Sequence, residues 1–382
     1  RRKIYILALA IFGLGSLWVA LSHNFSSLLI GRAVQGFGAS GIFPVASALV
    51  GDIYPPEKRG QILGIIGAVF GLAFLLGPFI AGILLKFYSW NVLFTINIPI
   101  SIILIYYSSK LIPSVPSKRI QSIDWMGIMM LGVCLATLTY GLNTLSGISA
   151  VFNWENTLTV SPFIVAFVSF IFLVRIEKRA EFPIVELSFF QNRQIVIAGL
   201  LAISTGVMQA CFVFIPKFVV ESFSVASSTA SFMLTPFVLA TAFGSPIFGK
   251  MIDRIGVKIV VIIGLLLSSS GFFLLSISGA EKMIYYTSGV FIGLGMSVLS
   301  GSSLRYIMLN NTSQQDRATS QGMLTIFISL GQLIATALIG VISATLIASR
   351  GYTSIFMATA ILLVVMVFLA FGLKNQAENA GA

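Results

Sequence analysis

The sequence predicts an all-α polytopic membrane protein, and three observations carry that reading. Hydrophobic residues fill 57% of the 382 positions and charged residues only 9%, against about 25% charged in an ordinary soluble domain. The apolar residues gather into twelve continuous runs, each close to the length of about 20 residues that crosses a bilayer as a helix. A membrane barrel would need alternating strands of about ten residues, and these runs do not alternate. Third, one stretch recurs. Setting Lys258 on Lys3, an offset of 255, brings the following membrane-length runs into register, and repeats of hydrophobic spans are what transporter halves look like.

The spans read in order, each bounded by polar residues. The first, 4–22, follows Arg1-Arg2-Lys3, and the second, 27–50, opens after His23-Asn24 and stops before Asp52. The third, 61–84, follows Pro55-Pro56-Glu57-Lys58-Arg59, and the fourth, 90–109, lies between Lys86 and Lys110. A Pro/Ser/Lys linker from Ile112 to Ser122 leads into 124–143, and 158–174 stops at Arg175. A polar loop to Gln194 separates that span from 194–216 and 226–248, the latter ending at Gly249-Lys250. The last four, 259–278, 283–308, 319–347 and 352–373, follow Lys258, Lys282, Arg317 and Arg350.

The repeat continues with small slips. Gly36-Phe37-Gly38-Ala39-Ser40 meets Gly293-Leu294-Gly295-Met296-Ser297, and Arg59 with Gly64 meets Arg317 with Gly322. An offset of 255 to 258 crosses eight spans, an even number, so both copies share one orientation. Six-helix halves alone would repeat after six spans, so two helices stand inserted between them. The organisation expected is the remainder of an N-terminal six-helix domain over 1–110, a linker with two inserted helices over 111–193, and a C-terminal six-helix domain over 194–382. The first copy has no initiator Met and lacks the Gly-x-x-x-Asp that precedes Arg254 in the second. The expectation is therefore that two helices at the N-terminus are missing.

Orientation follows from Lys and Arg. One set of loops carries seventeen of them, among them Arg1, Arg2, Lys3, Lys58, Arg59, Arg119, Lys178, Lys250, Arg254, Lys258, Arg317 and Lys374; the other carries Lys86, Lys217, Lys282 and Arg350. The positive-inside rule puts the richer set, with both ends of this chain, in the cytoplasm of a multi-pass cell-membrane protein. The net charge of +11 is thus a topology signal and not one for nucleic acid.

Several patterns, in order along nearly the whole chain, resemble the major facilitator superfamily, and within it the 14-helix drug:proton antiporter branch. Gly249-Lys250-Met251-Ile252-Asp253-Arg254-Ile255-Gly256-Val257-Lys258 is similar to the superfamily loop G-x-x-x-D-R-x-G-R/K. Arg32, Gln35, Gly36 and Gly38 resemble the fourth-helix pattern R-x-x-Q-G-x-G, and Gly77-Pro78-Phe79-Ile80-Ala81-Gly82 resembles the antiporter signature G-P-x-x-G-G, with Ala81 in place of a glycine. Phe94, Asn97 and Pro99, and Asp124-Trp125-x-Gly127, also look like that branch, although Asn91 stands where it usually has Arg. The resemblance implies a two-domain helical bundle with twelve of fourteen spans in this chain. It also implies secondary active export of hydrophobic or amphipathic small molecules by proton antiport with alternating access, by a monomer. It further implies that the Asp253 loop clasps the other half when the transporter faces outward, with Gly249, Arg254, Gly256 and Arg59 as its parts. A dedicated metabolite exporter or a facilitator on the same fold is the alternative. A non-transporting sensor would need a soluble signalling domain, for which no loop leaves room.

The residues themselves point the same way. Arg32 reads as the one basic side chain well inside a span. A charge there costs about 2.5–3.5 kcal/mol on insertion scales, so it belongs to a central cavity, where it biases a proton site, or snorkels to the outer surface. All twelve Asp and Glu fall in loops or at span ends, so a proton-carrying carboxylate is expected on the missing helices. Gly64, Gly67, Gly71, Gly77 and Gly82 line the third span, allowing close helix approach, and Pro78 removes a backbone hydrogen bond. Gln35, Ser204, Thr205, Gln209, Ser297 and Ser300, with Met208 and Phe212 beside them, are the cavity candidates. Such an apolar, adaptable surface suits bulky amphipathic ligands. Each of these also fits a simple packing role. No phosphate loop, His pair, Cys cluster or nucleophile–His partnership occurs, since His23 is the single histidine. The chain is therefore read as no enzyme, with no metal and no cofactor.

Overall fold

The computed structural model describes residues 1–112, 124–144, 157–179, 186–279, 281–345 and 348–374. Within them the regular structure is entirely helical. Twelve long helices follow one another: α1 Arg2–Ala20, α2 Phe25–Ile53, α3 Pro56–Leu84, α4 Val92–Leu111, α5 Trp125–Thr144 and α6 Thr157–Glu177. After a 3-10 turn come α7 Arg193–Phe223, α8 Thr229–Ile255, α9 Val257–Ile277, α10 Lys282–Asn310, α11 Arg317–Thr345 and α12 Ala348–Ala370. Eleven helices among the described residues are long and apolar enough to cross a membrane, and α3 runs for 29 residues.

Helix boundaries depart from the hydropathy limits where local chemistry intervenes. α3 starts at Pro56, ahead of the apolar run, because Pro55 and Pro56 give it a cap and a first helical residue with no amide to satisfy. α7 runs through Pro216 and ends at Ser224, the one non-glycine residue with positive φ among those described. Only Gly256 separates α8 from α9, at φ 89°, a conformation in which a side chain would be strained. A π-helical segment, Ser297–Ser303, interrupts α10.

The repeat is visible in the packing. A Cβ added at Gly15 of α1 would come 2.5 Å from Gln35 Cα on α2; one added at Gly271 of α9 would come 2.7 Å from Ile292 N on α10. Likewise Gly38 packs on Phe12, and Gly295 packs on Ser268. The offsets of 256 and 257 map each pair onto the other, so α1–α2 and α9–α10 are copies of one close-packed glycine crossing.

α1 packs on α2 and α4, α5 on α6, α7 on α11 and α12, and α9 on α10 and α12. The hydrophobic core is concentrated in α7–α12. Aromatic rings fill it, with Phe218 edge-on to Phe356 at 5.2 Å and to Tyr352 at 6.4 Å. α3 lies mainly against α8 and the π segment of α10, and this crossing organises the candidate site.

Candidate functional site

The α3–α8 crossing is a seam of small residues. Gly60 and Gly64 meet the backbone of Gly249 and Ser245, Gly71 meets Ala242, and Gly67 meets Gly301 in the π segment. A methyl group at Gly64 would stand 2.5 Å from Ser245 O, so these helices touch backbone to backbone. Gly77 is different, for a Cβ there would meet open space. The side chain of Pro78 and position Gly82 lie outside the described residues.

At the end of the molecule rich in Lys and Arg, the seam is tied by polar contacts. Asp253, near the end of α8, accepts the amide of Gly60 at 2.9 Å on Oδ1 and that of Gln61 at 2.8 Å on Oδ2. The aspartate of the expected clasp loop thus grips two amides within the second turn of α3. Arg59 turns away from it. Its guanidinium donates to Tyr54 O at 3.1 Å, to Gly51 O at 2.8 Å and to Asn310 Oδ1 at 2.6 Å. Carbonyls at the C-terminus of α2 have no helical partner and carry partial negative charge, which draws the cation there. Arg254 is exposed.

A second arginine mirrors the first. Arg317, at the start of α11, donates to Gly51 O at 2.6 Å and to Asp52 Oδ1 at 2.9 Å. Asp52 also pairs with Arg1 at 2.9 Å. One offset, 258, carries Arg59 onto Arg317 and Asp52 onto Asn310. Each arginine therefore reaches across to the counterpart residue of the other repeat. The arginine match was legible in the sequence; the Asp52–Asn310 match was the signal left unused.

Arg32 lies about two turns past the Asn24 cap of α2. It donates Nη1 to Gln35 Oε1 at 2.5 Å and stands 5.6 Å over the Phe94 ring. Gln35, 4% exposed, donates to Ser16 Oγ at 2.7 Å, and Asn97 donates to the same hydroxyl at 3.4 Å. This chain ties α2, α1 and α4 together through Gln35 and Ser16, while Arg32 at its end is exposed. Position 35 corresponds to Ile292 in the repeat, so the network belongs to the first copy alone.

The remaining candidates separate into two sets. Gln209 and Ser300 come together, with Nε2 donating to Oγ at 3.2 Å, both partly buried. Ser204 and Thr205 bond the carbonyl of Leu201 in their own helix, and Ser297 bonds that of Leu294. Met208 and Phe212 sit within the hydrophobic core of α7–α12. A cavity of 340 Å³ between α5 and α11, lined by Thr139, Ser329, Gln332 and Thr336 among others, shares no lining residue with the Arg32 or Gln209 networks.

Arg305 on α10 went unnoticed in the sequence because it sits near the end of its span. It is 6% exposed, donates Nη1 to Gln321 Oε1 at 3.2 Å, and lies 3.9 Å from the ring centroid of Phe43 on α2. Arg32 is therefore not the only arginine inside a helix of this bundle.

Comparison with known proteins places this architecture. Residues 1–216 and 197–381 match the family model described as Major Facilitator Superfamily. The chain is 31% identical over 343 residues to an uncharacterised transporter of this type, YfiU, from Bacillus subtilis (strain 168), covering 88% of this chain and 66% of that protein. It is 29% identical over 357 residues to multidrug resistance protein 3 of the same organism, covering 92% of this chain and 68% of that one. The chain thus spans about two thirds of the length of these relatives. Among solved structures, the human organic anion transporter MFSD10 superposes with a TM-score of 0.70 at 17% identity, covering 97% of this chain and 77% of that one.

Proposed function

We propose that this chain, which belongs to the major facilitator superfamily, exports hydrophobic or amphipathic small molecules from the cytoplasm across the cell membrane by proton antiport. Transport of small molecules is the family's business; the direction, the substrate class and the coupling are the proposal. The observation that carries it is the α3–α8–α10 seam, made of bare backbone contacts and closed at one end by Asp253 on the Gly60 and Gln61 amides. Such contacts part without leaving large side chains behind, and they re-form in one register. That is what alternating access asks of a gate.

In this reading the basic end faces the cytoplasm by the positive-inside rule, and the arrangement is the outward-facing one. Substrate meets the partly buried Gln209–Ser300 pair among apolar walls, few polar groups being the mark of a tolerant site. Arg32, held by Gln35, supplies a fixed positive charge that lowers the proton affinity of an acid near it. The drug-resistance name of a relative and the Gly77-Pro78 signature support export of such compounds. The test is efflux of N-phenyl-1-naphthylamine from cells carrying the intact transporter, with and without a protonophore. Loss of efflux on collapse of the gradient is expected. Efflux that continues unchanged overturns proton coupling, and efflux of one metabolite with no response to apolar probes favours the dedicated exporter.

A further inference from the structure

We propose that Arg305 is the recognition site for an acidic group on the transported molecule, so that the substrates include amphipathic anions. This rests on the export reading above and adds the chemistry of the cargo. A guanidinium inside a membrane helix is costly, and it is retained where a counter-charge or a function compensates it. Among the described residues no carboxylate serves it. Both ion pairs among the described residues belong to Asp52, which holds Arg1 and Arg317, while Asp253 is engaged by amides. The bond Arg305 makes to Gln321 is to a neutral acceptor, and its buried Nε has no hydrogen-bond partner among the described residues.

Other donors nearby are in the same condition. Ser302 and Ser303 lie within one turn of Arg305 on α10, and Ser47 lies one turn beyond Phe43 on α2. All three residues are 0% exposed, and their hydroxyls lack hydrogen-bond partners among the described residues. Arg305, a buried cation with one unsatisfied donor and only a neutral acceptor, is short of a counter-charge, and an anion is the acceptor that fits it.

The geometry also says when the anion enters. In the conformation observed, the aromatic face of Phe43 covers the guanidinium across the boundary between the two repeats. Parting of α2 from α10 removes that cover and turns the planar fork toward the opened space. A carboxylate or sulfonate then takes bidentate hydrogen bonds that Phe43 cannot offer. Phe43 therefore stands in for the anion while the basic end is shut.

Two probes of one skeleton test this. 8-Anilino-1-naphthalenesulfonate carries a sulfonate that N-phenyl-1-naphthylamine lacks. Binding of each is measured by fluorescence to the intact transporter in nanodiscs, alongside transport in proteoliposomes. Arg305→Gln is expected to weaken sulfonate binding on the order of tenfold or more while leaving the neutral probe within about twofold, and Arg305→Lys to retain part of the sulfonate binding. The neutral probe reports that the variant is folded. Equal loss of both probes makes Arg305 a packing or latch residue and overturns the proposal, as does sulfonate binding that survives Arg305→Gln. Arg305-dependent binding without transport sinks the export reading and leaves the anion site standing. Transport of the neutral probe with no sulfonate binding by the unmodified protein does the reverse.

Discussion

Arg59 donates to Asn310 at 2.6 Å, and 258 residues later Arg317 donates to Asp52 at 2.9 Å. The two contacts are the same contact made twice, once by each repeat, and they cross. Both guanidinium groups also share one acceptor, Gly51 O, at 2.8 and 2.6 Å. Sharing makes them dependent on one another, since neither bond is independent of where the other arginine sits. Arg59→Ala and Arg317→Ala should each destabilise the closed basic end, and the double variant should cost less than the sum of the two. A double-mutant cycle on thermal unfolding of the intact transporter checks this, with strict additivity as the contrary result.

Asp253 accepts two amides with a charged group, and such bonds contribute about 1.5–3 kcal/mol each. Asp253→Asn keeps one acceptor oxygen and removes the charge. A cysteine placed at Ser300, behind the seam, should then be alkylated faster, on the order of tenfold. An unchanged rate would show that the aspartate fixes only its own loop.

Glycine positions on α3 divide by what they face. Gly64→Ala places a methyl group 2.5 Å from the backbone oxygen of Ser245, and backbone cannot retreat as a side chain does. Transport should fall at least tenfold at equal expression, because the seam no longer shuts. Gly77→Ala meets open space and should keep most of its activity. Initial efflux rates for the two variants, side by side, decide the matter.

Arg32→Ala should abolish coupled transport, and Arg32→Lys should keep part of it, since Lys supplies the charge without the fork that holds Gln35. Gln35 would be left with its oxygen unpaired, 4% exposed, so some loss of stability is expected as well. Proton movement driven by substrate, recorded at matched protein levels, is the readout. Undiminished movement in Arg32→Ala would mean the residue only snorkels.

Much of this was legible from residues alone, and the limits have physical causes. Apolar runs located the helices because the hydrocarbon core demands one continuous property over a known length. The early start of α3 was lost because Pro56 opens the helix outside the apolar run. The repeat register was legible from Lys3 and Lys258 outward, and Gly15–Gln35 with Gly271–Ile292 carry it into three dimensions. The partner of Arg59 was not legible, since it depends on which helix ends meet. Arg305 was hidden for the same reason, since nothing in the sequence marks a basic residue near a span end until Phe43 is found across from it. The π segment at Ser297–Ser303 leaves no composition signal, because its small residues suit an ordinary close-packed helix equally well.

The rocking motion itself is open to direct measurement through Lys58 at the start of α3 and Lys250 near the end of α8, both exposed at the basic end. Spin labels on cysteines at these positions, in the intact transporter in nanodiscs, report the distance across the seam by pulsed double resonance. Two populations are expected, a short one matching the closed seam and a longer one whose share changes when N-phenyl-1-naphthylamine or a change of pH is applied. Asp253→Asn should enlarge the longer one without any substrate. A single short distance, unmoved by substrate, pH or the loss of the Asp253 charge, would contradict a gate at this seam.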